Sequence, residues 1–328
     1  MRILHLLASP VFTGPAEAVL QLALAQRELG HEVEVAVDTR RSQHTSEELA
    51  VPRFEAHALR SEIPLELSVK SNPAGFVRDV LSLRRAPAGV VHCHFSHDHL
   101  LARLAGRSVL IRSIHAPRSL RWSTPHAAGW TVPTEALARK LLGRDVLVLP
   151  ALIDAAFSPP LSKTPGARIG MVSTFQASRR HQLGLEAFAL VRARVPAATL
   201  ELIGDGVLEP TLRELARPLG EAVRFTGYRS GQSFVDALKA LDEVWVLGLG
   251  NDFSGRAAAQ ARACGVRVVA VDEGALEKWA DAIVAPVAEA IAAAALSHER
   301  RALRLEPPRE SAERVLALYA RAQKREAA

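Results

Sequence analysis

Aromatic residues make up only 5% of the 328-residue chain. Its cores must therefore be built mainly from Ala, Leu and Val, which argues against an aromatic-rich β-sandwich and an extended base-stacking surface for nucleic acid. Cysteine is almost missing, with only Cys93 and Cys264 present. Cys264 stands at an expected helix end, so a structural disulfide is not expected and a reducing, cytoplasmic compartment fits best. No apolar run approaches the ~18 residues that a membrane-spanning helix needs. The N-terminal MRILHLLASP has a short apolar run that contains His5 and leads into a patterned helix carrying Glu17. It reads as a buried first strand rather than a leader. Gly204-Asp205-Gly206 and Gly248-Leu249-Gly250 are lone G-x-G pairs, and neither extends to the G-x-G-x-x-G dinucleotide fingerprint. GLGNDFSG also lacks the Lys-Ser/Thr ending of a P-loop.

Hydrophobic residues reach 48%, and the formal net charge is +6. The length allows two ordinary domains. The charge favours acidic partners such as nucleotides, phosphorylated sugars or an anionic membrane surface. Strand and helix patterns alternate from end to end, which predicts an α/β chain with parallel sheets. Strands are predicted at 2–7, 32–37, 89–94, 108–114, 129–132 and 145–149, and again at 168–174, 199–203, 223–226, 243–247, 266–271 and 282–285. Residues 15–29 carry a helical stripe of Val19, Leu22, Ala23 and Leu29, and Gly30 closes the helix. Residues 38–75 read as a short strand and loops. The Pro- and Ser-rich AAFSPPLSKTPGA at 155–167 reads as a linker between an N-terminal domain (1–154) and a second one (168–309). A last helix, about 310–325, would carry Val315, Leu316, Leu318 and Tyr319 as its apolar face and could cross back to the first domain. Two doubly wound Rossmann-like sheets would face a cleft, with ligands outside the carboxyl ends of the strands.

The stretch 248–277, GLGNDFSGRAAAQARACGVRVVAVDEGALE, is the most informative part of the chain. An apolar strand runs into a Gly-rich turn, with Asp252 just before a helix and Gln260 eight residues later. Such a turn offers free backbone N–H groups and the positive end of a helix dipole to a phosphate. Ser254 and Gly255 are the expected donors. Arg179 and Arg180 similarly follow a strand and open a helix, where a guanidinium could grip a phosphate oxygen pair. His92, His94, His97 and His99 with Asp98 form a dense cluster, and strand alternation puts His92 and His94 on one face. Such a cluster could bind zinc. Arg103, Arg107, Arg112, Arg118 and Arg121 lie in an acid-free stretch and read either as separate solvated side chains or as a basic rim.

Five segments in order, GPAEAVLQLALAQRELGHEVEV (14–35), LPALIDAAFSP (149–159), LEAFALVRARVPAATLELIGDG (185–206), VRFTGYRS (223–230) and AQARACGVRVVA (259–270), resemble the retaining glycosyltransferases of family 4. The resemblance covers nearly the whole chain and implies the GT-B fold. It implies a nucleotide-diphosphate sugar as donor, a glycan or lipid-linked acceptor, and no metal or cofactor. A place in cell-envelope or lipopolysaccharide synthesis follows from the same resemblance, while peripheral contact with an anionic membrane is suggested by the net charge and the arginine rim.

The family's two donor-flanking glutamates, with seven residues between them, correspond to Asp252 and Gln260. Thr174 stands where the family has an Arg on the donor diphosphate, and Arg179, with Arg180 beside it, stands for its Lys. Gly14 is followed by Pro15 where the family has a second glycine, so one backbone donor is lost. The resemblance further assigns His115 to the transferred sugar, Gly227 and Tyr228 to the base, and Glu277 to the acid after the last Gly-containing loop. The absence of any Asp-x-Asp triplet removes the metal-chelating signal of the other main glycosyltransferase fold. Two other readings stay open: a non-catalytic nucleotide-sugar-binding protein on the same scaffold, and a sugar-nucleotide epimerase.

Overall fold

A computed structural model describes residues 1–39, 48–63, 65–66, 73–107, 109–120, 124, 126–250 and 253–327. The chain divides into two compact units, Met1–Leu152 with Glu306–Ala328, and Ile153–Leu305.

The first unit holds β1 (Arg2–Leu7), α1 (Gly14–Glu28), β2 (Glu32–Val37), α2 (Ala50–Ala56), α3 (Pro73–Arg85), β3 (Val90–Cys93), α4 (Ser96–Leu104), β4 (Leu110–Ser113), β5 (Gly129–Val132), α5 (Glu135–Ala138) and β6 (Val146–Val148). The second holds β7 (Arg168–Val172), α6 (His181–Arg194), β8 (Thr199–Ile203), α7 (Glu209–Ala216), β9 (Val223–Gly227), α8 (Gly231–Ala240), β10 (Glu243–Val246), α9 (Arg256–Ala263), β11 (Arg267–Val271), α10 (Leu276–Trp279), β12 (Ala282–Val284) and α11 (Ala288–Ala294). The last helix, α12 (Pro308–Ala327), belongs to the first unit.

Each unit has one six-stranded parallel sheet, ordered β2-β1-β3-β4-β5-β6 and β12-β11-β10-β7-β8-β9. Both are doubly wound. The chain leaves β1 in one direction and resumes at β3 in the other, so the first sheet has its switch point between β1 and β3. The second sheet has its switch point between β7 and β10. Ligands of open parallel sheets bind at such points, outside the carboxyl ends of the strands.

The strands are buried apolar runs because helices cover both faces of a parallel sheet. In β1, Ile3, Leu4, Leu6 and Leu7 are all buried, and so is the polar His5. Helix α1 buries Val19, Leu22 and Ala23 and carries Pro15 in its first turn, where a missing N–H costs least. Helix α12 buries Ala312, Val315, Leu318, Tyr319 and Ala322 at helical spacing and packs these into the core shared with α1. Gly129 lets it approach β5 closely: a Cβ there would lie 2.9 Å from Leu318 Cδ1. Arg321 and Arg325 donate to Asp145 from the exposed side of α12, at 3.0 and 2.8 Å.

Residues 155–167, read from the sequence as a linker, fall within the second unit, which begins at Ile153. Lys163 donates to the carbonyl of Leu241 and lies 3.4 Å from Asp242, so this segment is tied to the sheet. Residues 306–309, expected in the second domain, lie in the first unit. In place of the short strand expected between 38 and 75, the described residues contain α2 and a single parallel bridge from Val35 to Arg60. Among the described residues, no helix is long and apolar enough to cross a membrane.

Candidate active site

In the second unit, the loops after β7 and β10 meet at the switch point. The Leu249 N–H donates to the Ser178 carbonyl at 2.8 Å and joins them. The loop after β7 exposes Thr174, buries Phe175 and then makes one tight turn, Ala177–Arg179. Arg180 adopts left-handed backbone (φ 56°, ψ 38°) and α6 begins at the next residue. Arg179 and Arg180 thus stand, half-buried, at the amino end of a 14-residue helix. His181 Nε2 lies 3.2 Å from Ser173 Oγ. Burial, and then the Arg179 charge, push the His181 imidazole down to about 4.

The lone G-x-G at 204–206 turns out to have a packing role. A Cβ on Gly204 would lie 2.2 Å from the Ser173 carbonyl, and one on Gly206 would lie 2.8 Å from both the nitrogen and the oxygen of Phe175. Their backbones (φ 145° and 148°) are of the kind that favours glycine. This close passage lets Phe175 N–H donate to Asp205 O (2.6 Å), Leu208 N–H to Phe175 O (3.1 Å) and Gly204 N–H to Gly227 O (3.0 Å). The carboxyl ends of β7, β8 and β9 are laced together, and Gly227 (φ 71°) leads into the exposed Tyr228.

Across the switch point, Gly255 (φ 60°) precedes α9. A Cβ at Gly255 would lie 2.5 Å from Trp279 Cδ1, while Trp279 Nε1 donates to the Ser254 carbonyl at 3.1 Å. Helix α10 therefore fixes the turn that opens α9. Gln260 is buried in the second turn of α9. Glu277 has its side chain exposed, and its carbonyl accepts from Arg301. Asp252 lies outside the described residues. Sequence reasoning missed Glu273, which accepts the Gly250 N–H at 2.9 Å and so holds the Gly-rich turn. Its signal was present: an acid directly before Gly274 in the loop already suspected after β11.

In the first unit, Gly14 is exposed at the start of α1, and His115 lies half-buried two residues beyond β4. Asp98 is fully buried and gathers the loops after β1 and β3, accepting N–H groups from Ala8 (3.3 Å), His94 (3.2 Å) and Phe95 (2.9 Å). The Arg112 guanidinium lies 3.9 Å away and is itself buried. Burial pushes the Asp98 carboxyl up to about 7, against the pull of Arg112 and the three N–H donors.

Beside this, the sheet assembles a run of imidazoles. His5 faces His92 in the β1–β3 register. His5 Nε2 is 2.8 Å from Gln26 Oε1, and His5 Nδ1 is 3.0 Å from His94 Nε2. His94 Nδ1 is 3.4 Å from His115 Nε2. A second arm starts at the same glutamine: Gln26 Nε2 donates to Tyr319 OH (3.2 Å), and Tyr319 OH is 2.6 Å from His92 Nδ1. His92 Nε2 is 2.8 Å from Ser113 Oγ, which is 2.6 Å from Thr131 Oγ1. Burial pushes His5 down to about 4, and burial with neighbouring histidines pushes His92 and His94 well below the usual imidazole range.

The sequence cluster 92–99 is thereby split. His97 and His99 sit on α4, with His97 exposed and His99 edge-on to Trp130. His5, His92 and His94 do bring one ligand atom each within 4.8 Å of one another. Both nitrogens of all three rings already have hydrogen-bond partners, so the trio is a polar network in its present form. The basic rim is also corrected. Arg112 is buried in β4, and Arg107 donates to Ala86 and Ala88 carbonyls at the opposite, amino edge of the sheet. Arg103 is exposed on α4, Arg121 lies outside the described residues, and Arg118 remains exposed just beyond β4.

Two six-stranded, doubly wound parallel-sheet units define a GT-B scaffold. The family described as Glycosyltransferase Family 4 matches residues 12–154, and the one described as Glycosyl transferases group 1 matches residues 166–298. The chain is therefore a glycosyltransferase of the GT-B class. No curated protein matches its sequence.

Solved structures similar to it include Anabaena Alr3699/HepE in complex with UDP and glucose, at 16% identity and TM-score 0.69, covering 100% of this chain and 94% of that one. AviGT4, a glycosyltransferase involved in avilamycin A biosynthesis, is 20% identical with TM-score 0.64, covering 99% and 98%. Sucrose-phosphate synthase from Thermosynechococcus elongatus is 15% identical with TM-score 0.63, covering 100% and 94%. At these identities the likeness concerns the fold.

Proposed function

We propose that this chain is a retaining, metal-independent glycosyltransferase of family 4. It moves a sugar from a nucleotide diphosphate to a glycan or lipid-linked acceptor, with cell-envelope polysaccharide as the setting. The observation that carries this reading is the meeting, at one switch point, of the Arg179–Arg180 helix start with the glycine turn before α9, bridged by Leu249 and Ser178. Two helix amino ends and two guanidinium groups suit a diphosphate. HepE, solved with UDP-glucose, supports the donor class.

In this reading Arg179 and Arg180, with Ser254 and Gly255, hold the diphosphate and offset the charge that builds on it as it departs. Thr174 lines the same loop, Gln260 holds the ribose, and Gly227 with Tyr228 borders the base. Asp252, Glu277 and His115 serve the transferred sugar, and Gly14 the acceptor side. Retention fits a leaving phosphate that itself takes up the acceptor proton. The hydrogen-bonded state of the histidine trio supports metal independence.

A thermal-shift screen of nucleoside diphosphates tests donor binding, since a ligand of the folded state raises apparent stability. Transfer assays test the chemistry. Arg179→Ala and His115→Ala should each cut turnover at least about tenfold, because a charge-assisted contact contributes ~1.5–3 kcal/mol. Wild-type rates in either variant remove that residue from the site. One second reading has an observation behind it. Thr174 puts no cation at its own position and Gln260 is uncharged, which favours a protein that binds the nucleotide without turnover.

A further inference from the structure

We infer that Gln26, buried on α1, is a positioning residue that fixes which nitrogen of His115 carries the proton, acting through His5 and His94, and that the same amide fixes His92 through Tyr319. The inference rests on the reading of His115 as a residue of the transfer site.

The argument follows donors and acceptors along the two arms. Gln26 Oε1 can only accept, so His5 carries its proton on Nε2. A neutral imidazole has one donor and one acceptor, so His5 Nδ1 accepts, and His94 must donate to it from Nε2. His94 Nδ1 then accepts, and His115 donates to it from Nε2. With its proton on Nε2, His115 has Nδ1 as its accepting nitrogen.

On the second arm, Gln26 Nε2 donates to Tyr319 OH, so that hydroxyl donates onward to His92 Nδ1. His92 then donates from Nε2 to Ser113, and Ser113 donates to Thr131. Every partner from Gln26 to Thr131 is buried, so water does not compete for these protons. Turning the Gln26 amide over reverses every bond together. The four imidazoles consequently share one tautomer, Nε2–H in the arrangement described.

Nitrogen-15 spectra of histidine-labelled full-length protein at neutral pH distinguish the two tautomers of each ring. The expected result is a single shared tautomer for His5, His92, His94 and His115. A mixed set in the wild-type protein overturns the inference without any variant. Gln26→Met removes the common origin and should give His115 as a mixture of both forms. Gln26→Glu, which still accepts from His5, should restore one form. A single His115 tautomer retained in Gln26→Met also overturns the inference.

Turnover should track the spectra. With about half the molecules in the wrong tautomer, kcat in Gln26→Met falls about twofold or more, while the donor KM changes little, and Gln26→Glu recovers it. The spectra do not depend on turnover. A wild-type protein without transferase activity therefore refutes the functional reading alone, whereas mixed tautomers refute the relay alone.

Discussion

Acidification from pH 7.5 to pH 5 should destabilise the first unit far more than the second. His5 has an ordinary value of 6.5 when unfolded and about 4 when folded. The folded value is depressed, so the stabilisation is complete above 6.5 and is lost as the pH falls toward 4. At pH 5 the loss from His5 alone is about 2 kcal/mol, rising to about 3 kcal/mol at complete loss. His99 is likewise pushed down to about 4, and burial holds His92 and His94 well below the usual imidazole range. In the second unit only His181 is shifted in this way among the described histidines. Losses on the order of 2 kcal/mol each from His5 and His99, with a further loss from His92 and His94, should outweigh the gain of about 3 kcal/mol from Asp98, whose raised value acts in the opposite direction below pH 7, against a domain's typical stability of ~5–15 kcal/mol. Hydrogen exchange read on peptides of β1 and β3, with β7 and β10 as internal reference, measures this at stepped pH. Unfolding of the first unit should be accompanied by a net uptake of about two or three protons near pH 5.5, because the imidazoles take up protons while Asp98, held at about 7 in the folded unit, gives one up. Uptake of less than about one proton would refute the claim that these imidazoles are buried neutral.

Gly204→Ala should destabilise the second unit by at least about 2 kcal/mol, because it combines a strained backbone with a Cβ 2.2 Å from a carbonyl oxygen; urea denaturation followed at Trp245 checks it. Asp98→Asn removes one carboxylate oxygen from a buried tether and the charge beside Arg112, and should cost the first unit about 3 kcal/mol by urea denaturation followed at the buried Trp130. Glu273→Ala leaves the exposed Gly250 N–H to water. It should leave the melting temperature nearly unchanged and weaken nucleoside-diphosphate binding about fivefold, on the order of 1 kcal/mol, by calorimetric titration.

Strands were legible in the sequence almost to the residue, because a parallel sheet buried on both faces writes itself as separate apolar runs. Helix α2 was not. It is seven residues long, contains Pro52 and buries only Ala50 and Phe54, which is too little to establish a period. The glycine turn before α9 and the Arg179–Arg180 helix start were readable as local patterns. Their meeting depends on strand order, which local patterns do not contain. The imidazole relay was half legible: alternation placed His92 and His94 on one face, and they stack with ring centroids 4.4 Å apart. Recruitment of His5, Gln26 and Tyr319 needed β1 beside β3 and α12 beside α1. Arg112 misled for a related reason. A charge inside an apolar strand looks like a rim residue until its buried acid, Asp98, is placed beside it by α4.

Helix α12 has a consequence for how the chain is made. The first unit begins at residue 1 but finishes only with residues 306–328, whereas the second is continuous from 153 to 305. On a ribosome, the part synthesised later is thus the first that can fold to completion. Until α12 emerges, the groove for Val315, Leu318 and Tyr319 stands open to water, and the hydroxyl that joins Gln26 to His92 has not yet been made. The nascent N-terminal sheet stays apolar and unsealed until α12 has been made, long after its own strands have emerged.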